Sequence, residues 1–216
     1  MISVVLCDPI KRLISHEKHL ISWDIDSSSS IWHSSKEDDR ATVIDRVTIA
    51  NTRQHVKQWF KPSKNGSIEL SVQLPKQSSR LLRYGNYATQ LKPFIEVFGI
   101  DNVIILDGAN MNTAEAQYFE SRLNLEHELK FAFNERKHFN CLSEPIEYCL
   151  SDAKGRRSSP TMNKTAALES ESKTLFKYFQ PEMRDFAKLL IKNNQLSASF
   201  CSDLATRFSW LVKYVC

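Results

Sequence analysis

Val103-Ile104-Ile105-Leu106 narrows the fold more than any other segment of this chain. Four consecutive apolar residues, three of them β-branched, leave a strand no polar face to turn toward water. Such a run suits a strand covered on both sides, as in a parallel sheet, and Asp107-Gly108 ends it with turn chemistry. A second run, Ile2 to Cys7, reads as a short buried strand, apolar except for Ser3. Asp8-Pro9 follows directly. Aspartate is a good helix N-cap and proline is tolerated at the first helical position, which predicts a helix from there to about residue 22. A strand running into a capped helix is half of a βαβ unit, and strands alternating with helices predict an α/β fold.

The remaining elements follow from periodicity. Residues 42 to 60 carry Val43, Ile44, Val47, Val56, Trp59 and Phe60 as the apolar set of a helix. Residues 86 to 98 form another helical pattern, which Pro93 is expected to kink or restart. Helices are also predicted from Thr113, a plausible N-cap, to about Leu123, and from about 165 to 192, where Leu168, Leu175, Phe179, Met183 and Phe186 make an apolar stripe. The serine-rich stretch 26 to 39 and the region 61 to 84 read as loops, with a short edge strand within Ser67 to Leu74. Residues 129 to 142 include an extended segment, and the stretch from Leu196 to Cys216 reads as a partly apolar tail. No internal repeat is visible.

Composition closes several doors. A chain of 216 residues buries one substantial core, and 42% apolar with 25% charged residues argues against wholesale disorder. No run of about 18 apolar residues exists to span a membrane, and the apolar amino terminus lacks the length, basic lead and cleavage site of a signal peptide. The net charge of +4 suits an anionic ligand. No RNA-binding aromatic motif, zinc-finger spacing or basic helix occurs, which disfavours nucleic acid as a partner. Five cysteines leave one unpaired in any scheme, and the sequence leaves the pairing open; Cys201 and Cys216 carry no readable role. With neither Cys-x-x-Cys nor a Cys/His pattern, no structural metal is predicted. His16 and His19 stand i and i+3 with no third ligand, and read as surface residues. A basic cluster, Lys154-Gly155-Arg156-Arg157, follows Cys149 almost at once.

Several segments, in order, resemble the heparan sulfate sulfotransferases, most closely the glucosaminyl 3-O-sulfotransferases. Cys7-Asp8-Pro9-Ile10-Lys11-Arg12-Leu13-Ile14-Ser15 looks like the family's Arg-Asp/Glu-Pro-x-x-Arg-x-x-Ser strand-to-helix stretch. Gly85-Asn86-Tyr87 through Leu91 and Phe94 is similar to its Gly-x-Tyr-x-x-x-Leu-x-x-(Trp/Phe) helix. Ile104 to Gly108 looks like its Ile-x-(Ile/Val)-x-Asp-Gly strand. Phe133-Asn134 through Cys141-Leu142 resembles its Phe-Asn-x-x-Lys-x-Phe-Tyr-Cys-Leu segment, and Cys149-Leu150 through Lys154-Gly155-Arg156 matches its Cys-Leu-x-x-x-Lys-Gly-Arg. Tyr178-Phe179-Gln180-Pro181 corresponds to the Tyr-Phe-x-Pro of its last helix. The resemblance covers most of residues 1 to 192, and the paired-cysteine and Lys-Gly-Arg block is its specific part.

The resemblance implies a partial P-loop-type sulfotransferase domain over residues 1–192, with 193–216 as a C-terminal tail. It implies sulfuryl transfer from 3′-phosphoadenosine 5′-phosphosulfate to a glucosaminyl hydroxyl of a heparan sulfate-type glycan, in the Golgi lumen and without a metal. Nucleotide binding falls to Ser15, Lys154, Gly155, Arg156, Arg157 and Ser158, and a disulfide is implied between Cys141 and Cys149. Arginine offers a planar fork of donors to phosphate, lysine adds a point charge, and glycine lets the backbone come close.

The departures are as informative. The family's phosphosulfate-binding loop, with its catalytic lysine, and its downstream catalytic glutamate would both lie upstream of Met1. None of the five glycines (Gly66, Gly85, Gly99, Gly108, Gly155) stands in a phosphate loop. Cys7 takes the place of the family's phosphate-binding arginine, and Asn140 that of a tyrosine. The sequence therefore predicts no catalytic residue in residues 1–216 and no transfer by them alone. The alternative is a non-catalytic binder of anionic glycan or adenine nucleotide.

Overall fold

The computed structural model describes residues 1–28, 37–62, 68–71, 74, 76–108, 113–124, 130–134, 139–144, 167–192 and 200–216. They form an α/β structure, mostly helical, divided into two compact units. One unit gathers residues 1–8, 90–157 and 187–216; the other gathers 9–89 and 158–186.

The first unit is built on strands β1 (Ile2–Leu6) and β4 (Val103–Asp107), which pair in parallel with Ile2 opposite Val103 and Leu6 opposite Asp107. All five residues of β4 are buried, as its unbroken apolar run predicts. β1 differs from expectation. Its residues alternate, with Ser3 and Val5 exposed, because one face of this strand has no cover among the described residues. Helix α5 (Thr113–Leu123) packs on β4. An antiparallel hairpin, β5 (Lys130–Asn134) and β6 (Phe139–Glu144), resolves the extended segment into two strands. Residues 200–216, which the sequence alone read as part of a tail, fold as α7 (Phe200–Arg207) and α8 (Ser209–Val215). Leu204, Phe208, Leu211 and Tyr214 are buried in this unit, and a disulfide joins Cys201 to Cys216.

The second unit is helical. α1 (Pro9–Ser28) begins at the predicted proline, and α2 (Glu37–Trp59) packs beside it. Both run further into the serine-rich stretch than its composition suggests. Two side-chain contacts link these helices: an ion pair of Lys18 with the fully buried Asp45 at 2.9 Å, and His55 Nδ1 against the buried Glu17 carboxylate at 3.3 Å. Charged groups at such depth persist only with a partner. β2 (Phe60–Pro62) and β3 (Ile68–Leu70) form a short antiparallel pair, and α3 (Lys76–Arg83) occupies a region read as loop. α3 had no apolar stripe to announce it beyond Leu81 and Leu82, both buried.

Two further helices, α4 (Tyr87–Phe98) and α6 (Glu169–Lys192), contribute residues to each unit. α4 contains Pro93 without interruption, contrary to the expected restart. Pro93 is exposed, and solvent is free to satisfy the carbonyl that its missing N–H leaves unpaired.

Candidate functional site

The carboxyl ends of parallel strands are where open α/β sheets place their ligand crevices. Here Asp107 closes β4, and Asp8 follows β1 two residues past the Leu6–Asp107 register pair. Both carboxylates are buried, Asp8 to 2% exposure and Asp107 to 0%. Gly108 is required at this edge: a Cβ there would lie 2.8 Å from Val5 Cγ1 and 3.1 Å from the Leu6 carbonyl oxygen, to which the Gly108 amide donates at 2.6 Å.

Three side chains of α8 reach these acids. Trp210 Nε1 donates to Asp107 Oδ1 at 3.0 Å, Lys213 Nζ to Asp8 Oδ2 at 2.5 Å, and the Tyr214 hydroxyl to Asp8 Oδ1 at 3.4 Å. Positions 210, 213 and 214 share one helix face at i, i+3 and i+4, so a single turn presents all three donors. From α7, Arg207 donates to the Ile105 carbonyl at 3.2 Å and lies 3.9 Å over the Tyr118 ring. Both oxygens of Asp8 thus accept from protein donors. A carboxylate held this way anchors a helix, and no proton-transfer role follows from it. The signal in the sequence was Trp210, Lys213 and Tyr214 at helical spacing, within a segment read only for its apolar content.

The predicted nucleotide-binding residues divide. Ser15 is exposed on α1. Arg12, three residues before it, is engaged: its guanidinium donates to the Tyr84 carbonyl and lies 5.4 Å over the Tyr84 ring and 5.9 Å over that of Tyr87. Lys154, Gly155, Arg156, Arg157 and Ser158 lie outside the described residues. Cys141, on β6, is disulfide-bonded, and its predicted partner Cys149 lies outside the described residues. Cys7, at the family's arginine position, is a half-buried thiol that forms no disulfide. A thiol is either neutral or, deprotonated, an anion, so it supplies no cation in place of that arginine.

Beside Arg12 the chain packs too closely for a ligand. A cleft lined by Pro9, Arg12, Leu13, His16, Leu81, Tyr84 and Gly85 has a volume of only about 10 Å³. That admits a water molecule but nothing the size of a nucleotide. Gly85 explains the tightness: a Cβ there would lie 2.4 Å from the Phe179 ring and 3.0 Å from Pro9 Cβ. Phe179 is fully buried, Tyr87 meets Phe186 edge-on at 5.9 Å, and Tyr178 meets Phe179 edge-on at 5.0 Å. Burial pushes the Tyr178 phenol above its ordinary range, partly opposed by a hydrogen bond with Asn86. His16 lies at the rim, 5.7 Å from the Tyr84 ring, and is held below the ordinary histidine value by burial first, then by His19 and Arg12.

No protein-family model matches the chain, and no curated protein matches it. Function must therefore be argued from its residues. Among those described, no helix is long and apolar enough to cross a membrane, and no cluster of three or more histidine, cysteine or acidic side chains is arranged to hold a metal.

Proposed function

We propose that the chain is a heparan sulfate glucosaminyl 3-O-sulfotransferase-like protein, contributing the nucleotide-side wall and glycan-facing part of such an enzyme. The observation that supports this reading is convergence. Pro9, Gly85 and Phe179 belong to three separate segments on which the resemblance was drawn, and they meet within van der Waals contact around one glycine. Independently, the two motif strands, ending Leu6 and Asp107-Gly108, pair side by side. A chance likeness of short motifs gives no reason for either meeting.

In this reading 3′-phosphoadenosine 5′-phosphosulfate supplies the sulfuryl group. Lys154 and Arg156 meet its phosphates, Gly155 lets the backbone approach, and Ser15 offers an exposed hydroxyl. With a thiol rather than a cation at position 7, and Arg12 tied to Tyr84, the cationic contribution falls to the 154–157 cluster. Residues 1–216 hold no counterpart of the family's catalytic lysine loop, so binding without transfer is the activity assigned to them.

Calorimetric titration of 3′-phosphoadenosine 5′-phosphate into the full chain tests this. Saturable binding, weakened at least about tenfold in Lys154→Ala and in Arg156→Ala (one charge-assisted contact each), supports it. No binding by the intact chain refutes it. Incorporation of labelled sulfate into a glucosaminyl oligosaccharide by residues 1–216 alone would overturn the assignment of binding without transfer.

A further inference from the structure

Residues 200–216 meet the carboxyl ends of β1 and β4, the sheet edge at which open α/β folds receive ligands, and they are held there in two ways. The inner part is packed. Leu204, Phe208 and Leu211 have no exposure, Arg207 donates to the Ile105 carbonyl, and Trp210 donates to Asp107. The outer part, Lys213 to Cys216, is tied. Lys213 pairs with one Asp8 oxygen, the Tyr214 hydroxyl reaches the other, and the Cys216 sulfur is bonded to Cys201.

Of the outer ties, the covalent one carries the others. α8 has seven residues, and a helix shorter than about 12 does not hold in water by its own hydrogen bonds. The Lys213 side chain is 47% exposed, so water screens its attraction to Asp8, and the Tyr214 bond is long at 3.4 Å. The Cys216 amide makes the last bond of the helix, to the Val212 carbonyl at 2.9 Å, so the disulfide grips the chain one turn beyond Lys213. Cys201 and Cys216 are both exposed, which opens either sulfur to attack by a thiol from solution. Beneath them Asp8 is covered, at 2% exposure.

We infer that the Cys201–Cys216 disulfide is a redox latch on this sheet edge. With the bond closed, the last turn of α8 seals Asp8. With it reduced, Lys213 to Cys216 leave the edge and the Asp8 carboxylate opens to solvent and to cationic ligands. The reductant is a dithiol. One of its thiolates attacks a sulfur of the pair, forming a mixed disulfide and expelling the other cysteine as a thiolate, which takes up a proton. The second thiol of the reductant then displaces the remaining cysteine. The dithiol ends as a disulfide, two electrons poorer, and the protein gains two thiols. The inner part stays seated, because none of its contacts involves either cysteine. The latch does not depend on the function proposed above.

The test is carbodiimide coupling of glycinamide to carboxylates in the full chain, oxidised and after dithiothreitol, read by peptide mass spectrometry beside hydrogen exchange. Reduction is expected to speed labelling of Asp8 about tenfold, the protection that one charge-assisted hydrogen bond confers, and to change Asp107 little. Exchange should quicken more at 213–216 than at 204–211, and glutathione disulfide should restore both. Cys201→Ser/Cys216→Ser should label at Asp8 without reductant and respond no further to it, which separates the latch from reduction of the disulfide at Cys141. Lys213→Met with the disulfide intact should keep Asp8 covered. Asp8 labelling that is equal in the two redox states overturns the latch. So does exchange that quickens equally through 204–216 and β4, since the disulfide then serves stability alone. Labelling in Lys213→Met as fast as in the reduced parent also overturns it, because the ion pair would then be the seal.

Discussion

Lys213 Nζ lies 2.5 Å from Asp8 Oδ2, joining the last helix to a residue two positions beyond the first strand, 205 positions earlier. Asp8 is buried while the Lys213 side chain remains about half exposed, so solvent screens part of the attraction. The greater cost lies in stranding the carboxylate. Lys213→Met is expected to destabilise the protein by about 1–3 kcal/mol, because a buried acceptor loses its charged donor. In a double-mutant cycle by urea denaturation, Lys213→Met and Asp8→Asn should be sub-additive. Strict additivity would mean that the pair contributes nothing as a pair.

Gly85 is predicted to tolerate no side chain while Phe179 stands where it does. Gly85→Ala forces a methyl to within 2.4 Å of a fully buried ring, and overpacking of this kind costs about 1–3 kcal/mol. Phe179→Leu opens space at that point, so the alanine should cost clearly less in the leucine background. Thermal melts of the four proteins read this coupling. An alanine penalty unchanged by Phe179→Leu would show that its cause is backbone strain rather than crowding.

The Cys201–Cys216 disulfide spans a separation of 15 residues. Closing a loop of that length contributes about 3 kcal/mol in the chain-entropy model. Cys201→Ser/Cys216→Ser, or reductant added to the native chain, should lower the melting midpoint. Hydrogen exchange should quicken first in residues 200–216, whose local opening the disulfide restrains. An unchanged midpoint together with unchanged exchange would remove the disulfide from the account of this segment.

His16 ties stability to pH. Its folded pKa lies below the 6.5 of an exposed histidine, so the unfolded chain binds the proton more readily. The histidine's contribution is therefore intact above 6.5. It declines as pH falls below that value and levels off under the folded pKa. His16→Gln should flatten this part of the stability curve between pH 7 and 5, as measured by urea midpoints. A slope identical in variant and parent would assign the pH response to other groups.

Much of the local structure was legible in the sequence because the relevant forces are local. α1 begins at Pro9, where proline suits the first helical turn, and the unbroken Val103–Leu106 run gave a strand buried on both faces. Other elements were not legible for equally physical reasons. α3 has too few apolar positions for its period to be seen, and Pro93 was read by its usual effect rather than by its exposed site. β1 shows the limit of composition. Its residues are nearly all apolar, yet Val5 is exposed, because cover depends on what packs above the strand.

The sequence by itself determined the α/β class, the starts of α1, α4 and α5, and the motif order that suggests a sulfotransferase-like protein. Each of these depends on residues close together along the chain. Only the tertiary structure decided that Trp210, Lys213 and Tyr214 hold the acids at the carboxyl ends of β1 and β4, that Cys201 pairs with Cys216, and that Phe179 and Pro9 both close on Gly85. These are contacts between residues far apart in the chain, and no local propensity encodes them. They form because burying a charge or a ring is favourable only where a complementary surface is waiting.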